Sequence, residues 1–315
     1  MKLIKPKKLN KGDLIGVISP ASSPADPDKI EKGVKYLESL GYSVAVGKHV
    51  GKEEGYLAGS DEERLEDLHG MFANKDVKAI INVRGGYGSG RLLNKIDYNL
   101  IKKNPKIFVG YSDITVLQMA FLKKCGLVTF AGPMVAVDFW EEEVSEFTEE
   151  NFWRLITSTR KIGKLHNPQE EKFHILNKGR GEGQLIGGNL ALLASIMGTE
   201  FFPNLKDAVL LLEDIGEPPY RIDRMFYQLK LQKDFDKLQA LVLGRFVKCY
   251  DSDEPEKKTQ SLNEVISDYW AGEKLPVIYN VKHGHIKDNI TIPFGLQCKV
   301  NSSRGFIEIM EGAVI

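Results

Sequence analysis

The residues best suited to chemistry gather around Ser112. In Val109-Gly110-Tyr111-Ser112-Asp113-Ile114 a short apolar run ends at a glycine, and a serine stands at the turn before a helical pattern begins. A tight strand-to-helix turn of this kind lifts a hydroxyl above the edge of a sheet. It also aims the following backbone N–H groups at any negative charge that forms there, which is the geometry of a nucleophile elbow. Ile114 stands where the full G-x-S-x-G pattern has its last glycine, so the pattern is incomplete, and a serine that only caps the helix fits the same spacing.

A second candidate is Arg84-Gly85-Gly86-Tyr87-Gly88-Ser89-Gly90-Arg91, which follows the apolar run at 77–83. Gly85 and Gly90 have P-loop spacing, but Arg91-Leu92 replaces the Lys and Ser/Thr that would meet phosphate and magnesium, and G-x-G-x-x-G also fails. What remains is a sharp turn, or a nest of amides facing the neighbouring strand end where Ser112 lies. A serine needs a base. Of the six histidines, His283 and His285 flank Gly284 directly after the apolar run at 277–281, so one of them is presented at a strand end. A metal shared between them would lack a third spaced ligand. For a carboxylate that fixes an imidazole, Glu213 terminates the buried-looking run at 208–212, with Asp214 and Glu217 competing for the role.

The elements that must position these residues alternate between strand and helix. Apolar runs at 14–18, 43–46, 77–83 and 107–109 are separated by helical patterns, one capped by Asp28 and one opened by the capping box Ser60/Glu63. This alternation predicts an N-terminal parallel sheet with helices on both faces. Residues 141–183 change character, from Glu141-Glu142-Glu143 into a Lys-, Gly- and Arg-rich stretch. They read as a connecting segment between a domain at 1–140 and one at 184–315. The C-terminal half is mixed α/β: a buried helix near 189–198, strands at 208–212 and 240–243, a capping box at Ser261/Glu264, and a hairpin of 296–300 with 306–310.

Composition narrows the function. The chain has 315 residues, 43 Lys plus Arg against 43 Asp plus Glu, and 42% hydrophobic residues, which fits about two folded domains and excludes disorder. Zero net charge argues against a nucleic-acid or membrane-surface binder. Pro6 and the polar stretch from Asn10 break any secretion signal, and the uncharged stretch 184–199 is too short to span a bilayer. The three cysteines, Cys125, Cys249 and Cys298, are widely spaced and suggest neither a disulfide framework nor a zinc site. The expectation is a reduced, cytoplasmic protein.

Taken in order, the segments resemble the serine L,D-carboxypeptidase family, which includes muramoyl-tetrapeptide carboxypeptidases and microcin-immunity peptidases. The resemblance runs from Ser19-Pro20-Ala21-Ser22 through Tyr56-Leu57-Ala58-Gly59, Arg84-Gly85-Gly86-Tyr87-Gly88 and Gly110-Tyr111-Ser112-Asp113 to Gly187-Gly188-Asn189-Leu190, Glu213-Asp214, Tyr220-Arg221 and Gly284-His285. It implies Ser112 as nucleophile, His285 as base and Glu213 as its carboxylate. The backbone amides of Gly86 and Asp113 would receive an oxyanion, and Arg84, Arg221 or Arg224 a terminal carboxylate. It further implies removal of D-alanine from the murein tetrapeptide in peptidoglycan recycling, a homodimer, and no metal or cofactor. Two alternatives stand beside it: a microcin-immunity-like hydrolase of aminoacyl- or peptidyl-nucleotide conjugates, and a non-catalytic module that binds phosphate or sugar at the Gly85–Gly90 loop.

Overall fold

Five short apolar runs build the first sheet: β1 (Leu14–Ile18), β2 (Ser43–Val46), β3 (Val77–Asn82), β4 (Ile107–Val109) and β5 (Thr129–Ala131). They pair in parallel in the order β5-β4-β3-β1-β2. Ile15, Val17, Ile80, Ile81 and Phe108 are completely buried, because helices cover both faces and the strands have no solvent side to alternate toward. Those helices are α1 (Asp28–Ser39), α2 (Asp61–Ala73), α3 (Tyr98–Lys103) and α4 (Thr115–Cys125). The computed structural model describes residues 2–250 and 259–315.

The start of α2 is the capping box that its spacing predicts, with Ser60 Oγ accepting the Glu63 N–H at 3.2 Å and the Glu63 carboxylate accepting the Ser60 N–H at 3.1 Å. Asp28 differs from expectation. Pro27 already holds helical dihedrals, so the cap moves upstream and Asp26 Oδ1 accepts the Asp28 N–H at 3.1 Å.

The second sheet takes β6 (Gly163–Lys164), β7 (His174–Asn177), β8 (Arg180–Asn189), β9 (Ala208–Ile215), β10 (Ala240–Val247) and β11 (Val277–Tyr279). After the short β12 (Ile292–Phe294), it is completed by β13 (Gln297–Asn301) and β14 (Phe306–Ile309). Its order is β6-β14-β13-β8-β9-β10-β11-β7, parallel across β8 to β11 and antiparallel outside them. The stretch 141–183 therefore holds helix α5 (Glu146–Thr157), β6, β7 and the first part of β8. Its glycines hide the strand from a composition reading. A Cβ at Gly181 would lie 1.9 Å from the Gln239 carbonyl oxygen and one at Gly183 2.3 Å from that of Asp207, so neighbouring backbone demands glycine there.

Three further helices, α6 (Leu190–Ile196), α7 (Pro219–Lys230) and α8 (Leu262–Trp270), pack on this sheet, the last opened by the Ser261/Glu264 box. The two halves are interlocked. β12 leaves the C-terminal half to pair antiparallel with β5, and its Pro293 is tolerated because it forms the sheet's edge. Helix α4 is buried on nearly every side because it touches the first sheet as well as β8 and α6.

Arg64 of α2 is buried to 1% exposure, yet it serves the loops above the first sheet. Its guanidinium donates to the carbonyls of Pro20 at 2.7 Å and Gly88 at 2.9 Å and to Asp61 at 2.5 Å. Arg64→Ala leaves those acceptors and a cavity uncompensated, and we expect a loss of ~2–4 kcal/mol in stability. Chemical denaturation followed by circular dichroism measures it, and an unchanged midpoint refutes it.

Candidate active site

The turn at the end of β4 is strained at its serine. Ser112 has φ 63°, a left-handed conformation that costs a non-glycine residue on the order of 1–3 kcal/mol and persists only where packing enforces it. The hydroxyl is not a helix cap: neither the 3₁₀ turn Ser112–Ile114 nor α4 has a side-chain cap hydrogen bond. Ile114, the residue that breaks the G-x-S-x-G pattern, folds back on Gly110, where a Cβ would lie 3.0 Å from both Cγ atoms of the isoleucine. The branched side chain thus occupies the space that a side chain at 110 would need.

Ser112 and the glycine loop after β3 meet because β3 and β4 are parallel neighbours. A Cβ at Gly85 would lie 2.8 Å from Ser112 Cβ, 3.0 Å from its Oγ and 3.1 Å from the Asp113 nitrogen. Asp113 locks the two loops together, its carboxylate accepting the Ser89 N–H at 2.8 Å and its carbonyl the Ser89 hydroxyl at 2.6 Å. On the other side Ser22 donates to the Tyr56 carbonyl at 2.5 Å and accepts the Tyr87 N–H at 3.0 Å. Gly86, with φ 106°, presses against this serine. Among the described residues no acceptor takes the N–H of Gly86 or of Asp113.

The second domain supplies a carboxylate and an imidazole. Glu213, at the end of β9, is 1% exposed, and its Oε2 lies 2.8 Å from His285 Nδ1. Gly244 and Gly284 make room for it, since a Cβ would stand 3.2 Å from Glu213 Cβ at the first and 2.8 Å from Oε2 at the second. His283 is separated from this role: fully buried, it places Nδ1 2.8 Å from the Ile290 carbonyl. The Tyr111 ring stands edge-on to His285 at 5.2 Å between centroids, which puts the residue before Ser112 on the imidazole. Thr115, three residues after Ser112, accepts the Asn189 N–H at 3.1 Å, and Asn189 is the register partner of Glu213. Ser112 thus lies at the same junction as the pair, although no Ser112–His285 hydrogen bond is present among the described residues.

Charge at this junction is crowded. Burial alone would pull the His285 pKa down, but the hydrogen bond and charge of Glu213, with Asp214 and Asp138, carry it above the usual 6.5. Asp214 is pushed up to about 7 by burial and by the adjacent Glu213, while it accepts from Asn189 Nδ2 at 3.0 Å and the Ala191 N–H at 2.9 Å. Asp138 is raised to about 7, chiefly by burial. Burial also lowers the His283 pKa, so that ring is a neutral structural group.

Of the three arginines, Arg84 reaches the Ser23 carbonyl at 3.2 Å from the glycine loop. Arg221 and Arg224 are exposed on α7, both about the Tyr220 ring, and Arg221 also pairs with Glu217 at 3.4 Å. Sequence reasoning did not assign roles to Tyr111, Thr115, Asp138 or Asn189. For Asn189 a signal existed, since an asparagine between a strand and an apolar helix reads as an N-cap, and its side chain does accept the Leu192 N–H. No group of three or more His, Cys, Asp or Glu able to hold a metal occurs among the described residues.

Fold and site together define a two-domain mixed α/β protein whose sheets bring a strained serine and a buried carboxylate–imidazole pair to one junction. Residues 15–132 match the LD-carboxypeptidase N-terminal domain and residues 182–300 the LD-carboxypeptidase C-terminal domain. The chain belongs to the LD-carboxypeptidase family. It is 41% identical to a probable murein peptide carboxypeptidase of Bacillus subtilis, over 95% of this chain and 92% of that one. The murein tetrapeptide carboxypeptidase of Pseudomonas aeruginosa is 35% identical over 92% of this chain and 94% of its own. Among solved structures, the microcin C7 self-immunity protein MccF in complex with aspartyl sulfamoyl adenosine superposes with a TM-score of 0.89 at 29% identity, covering 99% of this chain and 100% of that one.

Because Gly85 touches Ser112 and the Asp113 amide, Gly85→Ala is expected to move the serine and lower kcat/KM on the order of 100-fold while the fold persists. Peptide-release kinetics beside a circular dichroism spectrum test this, and full activity in the alanine variant contradicts it.

Proposed function

We propose that this enzyme removes the C-terminal D-alanine of the murein tetrapeptide, hydrolysing the bond between an acyl residue with an L centre and a leaving D residue. The observation that carries the reading is the buried Glu213 held 2.8 Å from His285, at the junction that also presents the strained Ser112. With Nδ1–H donated to Glu213, the imidazole keeps Nε2 free to take the Ser112 proton as the hydroxyl attacks the carbonyl. The Gly86 and Asp113 amides, without acceptors among the described residues, suit the oxyanion. His285 then returns the proton to the leaving amine, and water releases the acyl group by the same relay.

An exopeptidase also needs a receiver for the free carboxylate. Among the described residues Arg84 is bound to a carbonyl and to no acid, so its charge remains uncompensated, whereas Arg221 is already paired with Glu217. Arg224 on α7 likewise has no acid partner among the described residues, and Arg84 is favoured over it because it adjoins Gly85, which lies against Ser112. Relatives named for murein peptides at 35% and 41% identity support the tetrapeptide as substrate. The buried, free Cys125, Cys249 and Cys298 suit a reducing compartment, in keeping with cytoplasmic recycling of peptidoglycan by a homodimer. The likeness to MccF favours one second reading, hydrolysis of an aminoacyl- or peptidyl-nucleotide conjugate. Mass spectrometry of the products from tetrapeptide, its all-L isomer and an aminoacyl-nucleotide conjugate separates the two, and cleavage of the conjugate alone overturns the murein reading.

Ser112→Ala is expected to lower kcat by ~10³-fold or more and to abolish labelling by a fluorophosphonate. Retained turnover in a clean preparation removes Ser112 as nucleophile. The pH dependence follows from the raised His285 pKa. A base must be neutral to accept a proton, so activity should fall as pH drops through a midpoint above 6.5. Glu213→Gln should move that midpoint down and cut kcat by on the order of 10³–10⁴. A midpoint that stays put in Glu213→Gln contradicts the pairing.

A further inference from the structure

The turn that carries Ser112 begins where the first sheet stops holding its strands. The ladder between β3 and β4 ends at Ile81 and Val109, and β4 pairs with β5 only at Val109 and Phe130. Beyond that point two side chains take over from the backbone. Asn82, the residue after Ile81, donates from Nδ2 to the Val109 carbonyl at 2.6 Å. Gln118 of α4 donates from Nε2 to the Gly110 carbonyl at 2.8 Å and to the Phe130 carbonyl at 2.8 Å. The Gly110 N–H joins the same Phe130 carbonyl at 3.1 Å. Both amide side chains are completely buried. Since each of these partners is a carbonyl oxygen, the nitrogen of each amide must face the strand.

The bonds fall on the carbonyls of the two peptide units that lead into Tyr111, which is extended, and then into Ser112 at φ 63°. A peptide unit is planar, so holding its oxygen fixes the rotation of the whole unit. With two units pinned in succession, only the dihedrals of Tyr111 separate the fixed chain from the Ser112 nitrogen. Asn82 also lies three residues before Gly85, which packs against Ser112, so its bond sets the glycine loop against the turn as well. Amides are a poor choice for filling a core. Each brings a second polar atom, Asn82 Oδ1 or Gln118 Oε1, that is buried and finds no partner among the described residues, a cost that leucine or methionine does not carry. What the amides supply instead is a donor at two particular carbonyls. On the reading of Ser112 as nucleophile, we propose that Asn82 and Gln118 are positioning residues that hold the peptide units before Ser112 and so keep the strained serine in its attacking pose. Neither touches the reacting atoms.

The test uses the full chain with Gln118→Met and Asn82→Leu, which nearly keep the volume and remove the donors. Thr129→Val is the control, because it removes an equally buried hydroxyl of β5 that has no hydrogen bond among the described residues. The first readout is the rate of fluorophosphonate labelling at Ser112, which needs no peptide. The second is kcat and KM for murein tetrapeptide, with circular dichroism spectra recorded beside both. Gln118→Met and Asn82→Leu should each lower the labelling rate and kcat on the order of tenfold, with KM within about twofold and the spectrum unchanged. Gln118→Glu keeps the size, and its carboxyl, held neutral by burial, can donate to one carbonyl where the amide serves two; it should label more slowly than wild type and faster than Gln118→Met. Thr129→Val should stay within about twofold of wild type in both readouts. Wild-type labelling in the Gln118 variants and Asn82→Leu, a loss confined to KM, or an equal loss in Thr129→Val overturns the proposal. If wild-type enzyme is not labelled at Ser112 and Ser112→Ala keeps its turnover, the nucleophile reading falls and the proposal with it. If Ser112 is labelled but tetrapeptide stays intact, the substrate assignment alone fails, and the labelling rates still decide the role of the two amides.

Discussion

A carboxylate shut away from water cannot keep its charge without a partner, and Glu213 is such a group. One of its oxygens meets His285, and the other has no partner among the described residues. The imidazole is therefore what allows β9 to carry a buried acid near its end. That single pairing fixes the ring's orientation, directs Nδ1–H inward and leaves Nε2 outward. It also overrides the tendency of burial to strip the histidine of its proton. Asp214, next in sequence, turns to the start of α6, where Ala191 N–H and Asn189 share its carboxyl. Two adjacent acids near one strand end thus do different work, one meeting His285 and one fixing the start of α6 beside Asn189.

The pair is useful only if the second domain stays in place against the first, and the contacts across the junction lie close to the reacting groups. Thr115 and Asn189 join the turn after Ser112 to the strand beside Glu213. The chain beyond His285 is clasped from the other direction by the beginning of α5. Thr148 Oγ1 donates to the Lys287 carbonyl at 2.7 Å and accepts the Asn289 N–H at 2.9 Å, and Ser145 donates to Asp288 at 2.7 Å. Directly after this loop, β12 crosses back to pair with β5. Ser112 and His285 are therefore each held within a few residues of a bond that reaches beyond their own sheet, which limits motion of the two candidate residues relative to one another.

How much of this was legible beforehand varied with the kind of signal. The buried parallel strands and both capping boxes are local patterns, and they stand where their periodicity and spacing place them. The serine turn was visible as well, with Ile114 as its one discordant residue, and packing against Gly110 explains the discord. Long-range facts were not legible. Spacing alone treats His283 and His285 alike, and only the neighbours brought by folding separate them: the Ile290 carbonyl for one, Glu213 for the other. β12 gives no strand signal because it is three residues that include a proline, and β8 is obscured because its glycines, kept for close backbone approach, look like linker. Tyr111 meets His285 through space alone, and no periodicity reports that.

The glycines point to a broader feature of the design. Gly85 lies against Ser112, Gly188 against Thr115, and Gly244 and Gly284 against Glu213. At each of these points a side chain of the candidate site touches another segment's main chain, so the missing Cβ is what lets the segments approach so closely. A site assembled this way gains precision, because backbone in packed sheets and short turns has less freedom than long side chains. It bears the strain of Ser112 because the surrounding strands and helices are buried enough to hold the turn. The same arrangement decides where variation can enter. The exposed arginines of α7 can change without moving Ser112, His285 or Glu213, whereas even one added methyl group at the glycines meets them or their neighbours. The contacts at the glycines are main-chain contacts and leave little room for change, whereas the exposed arginines are free of them.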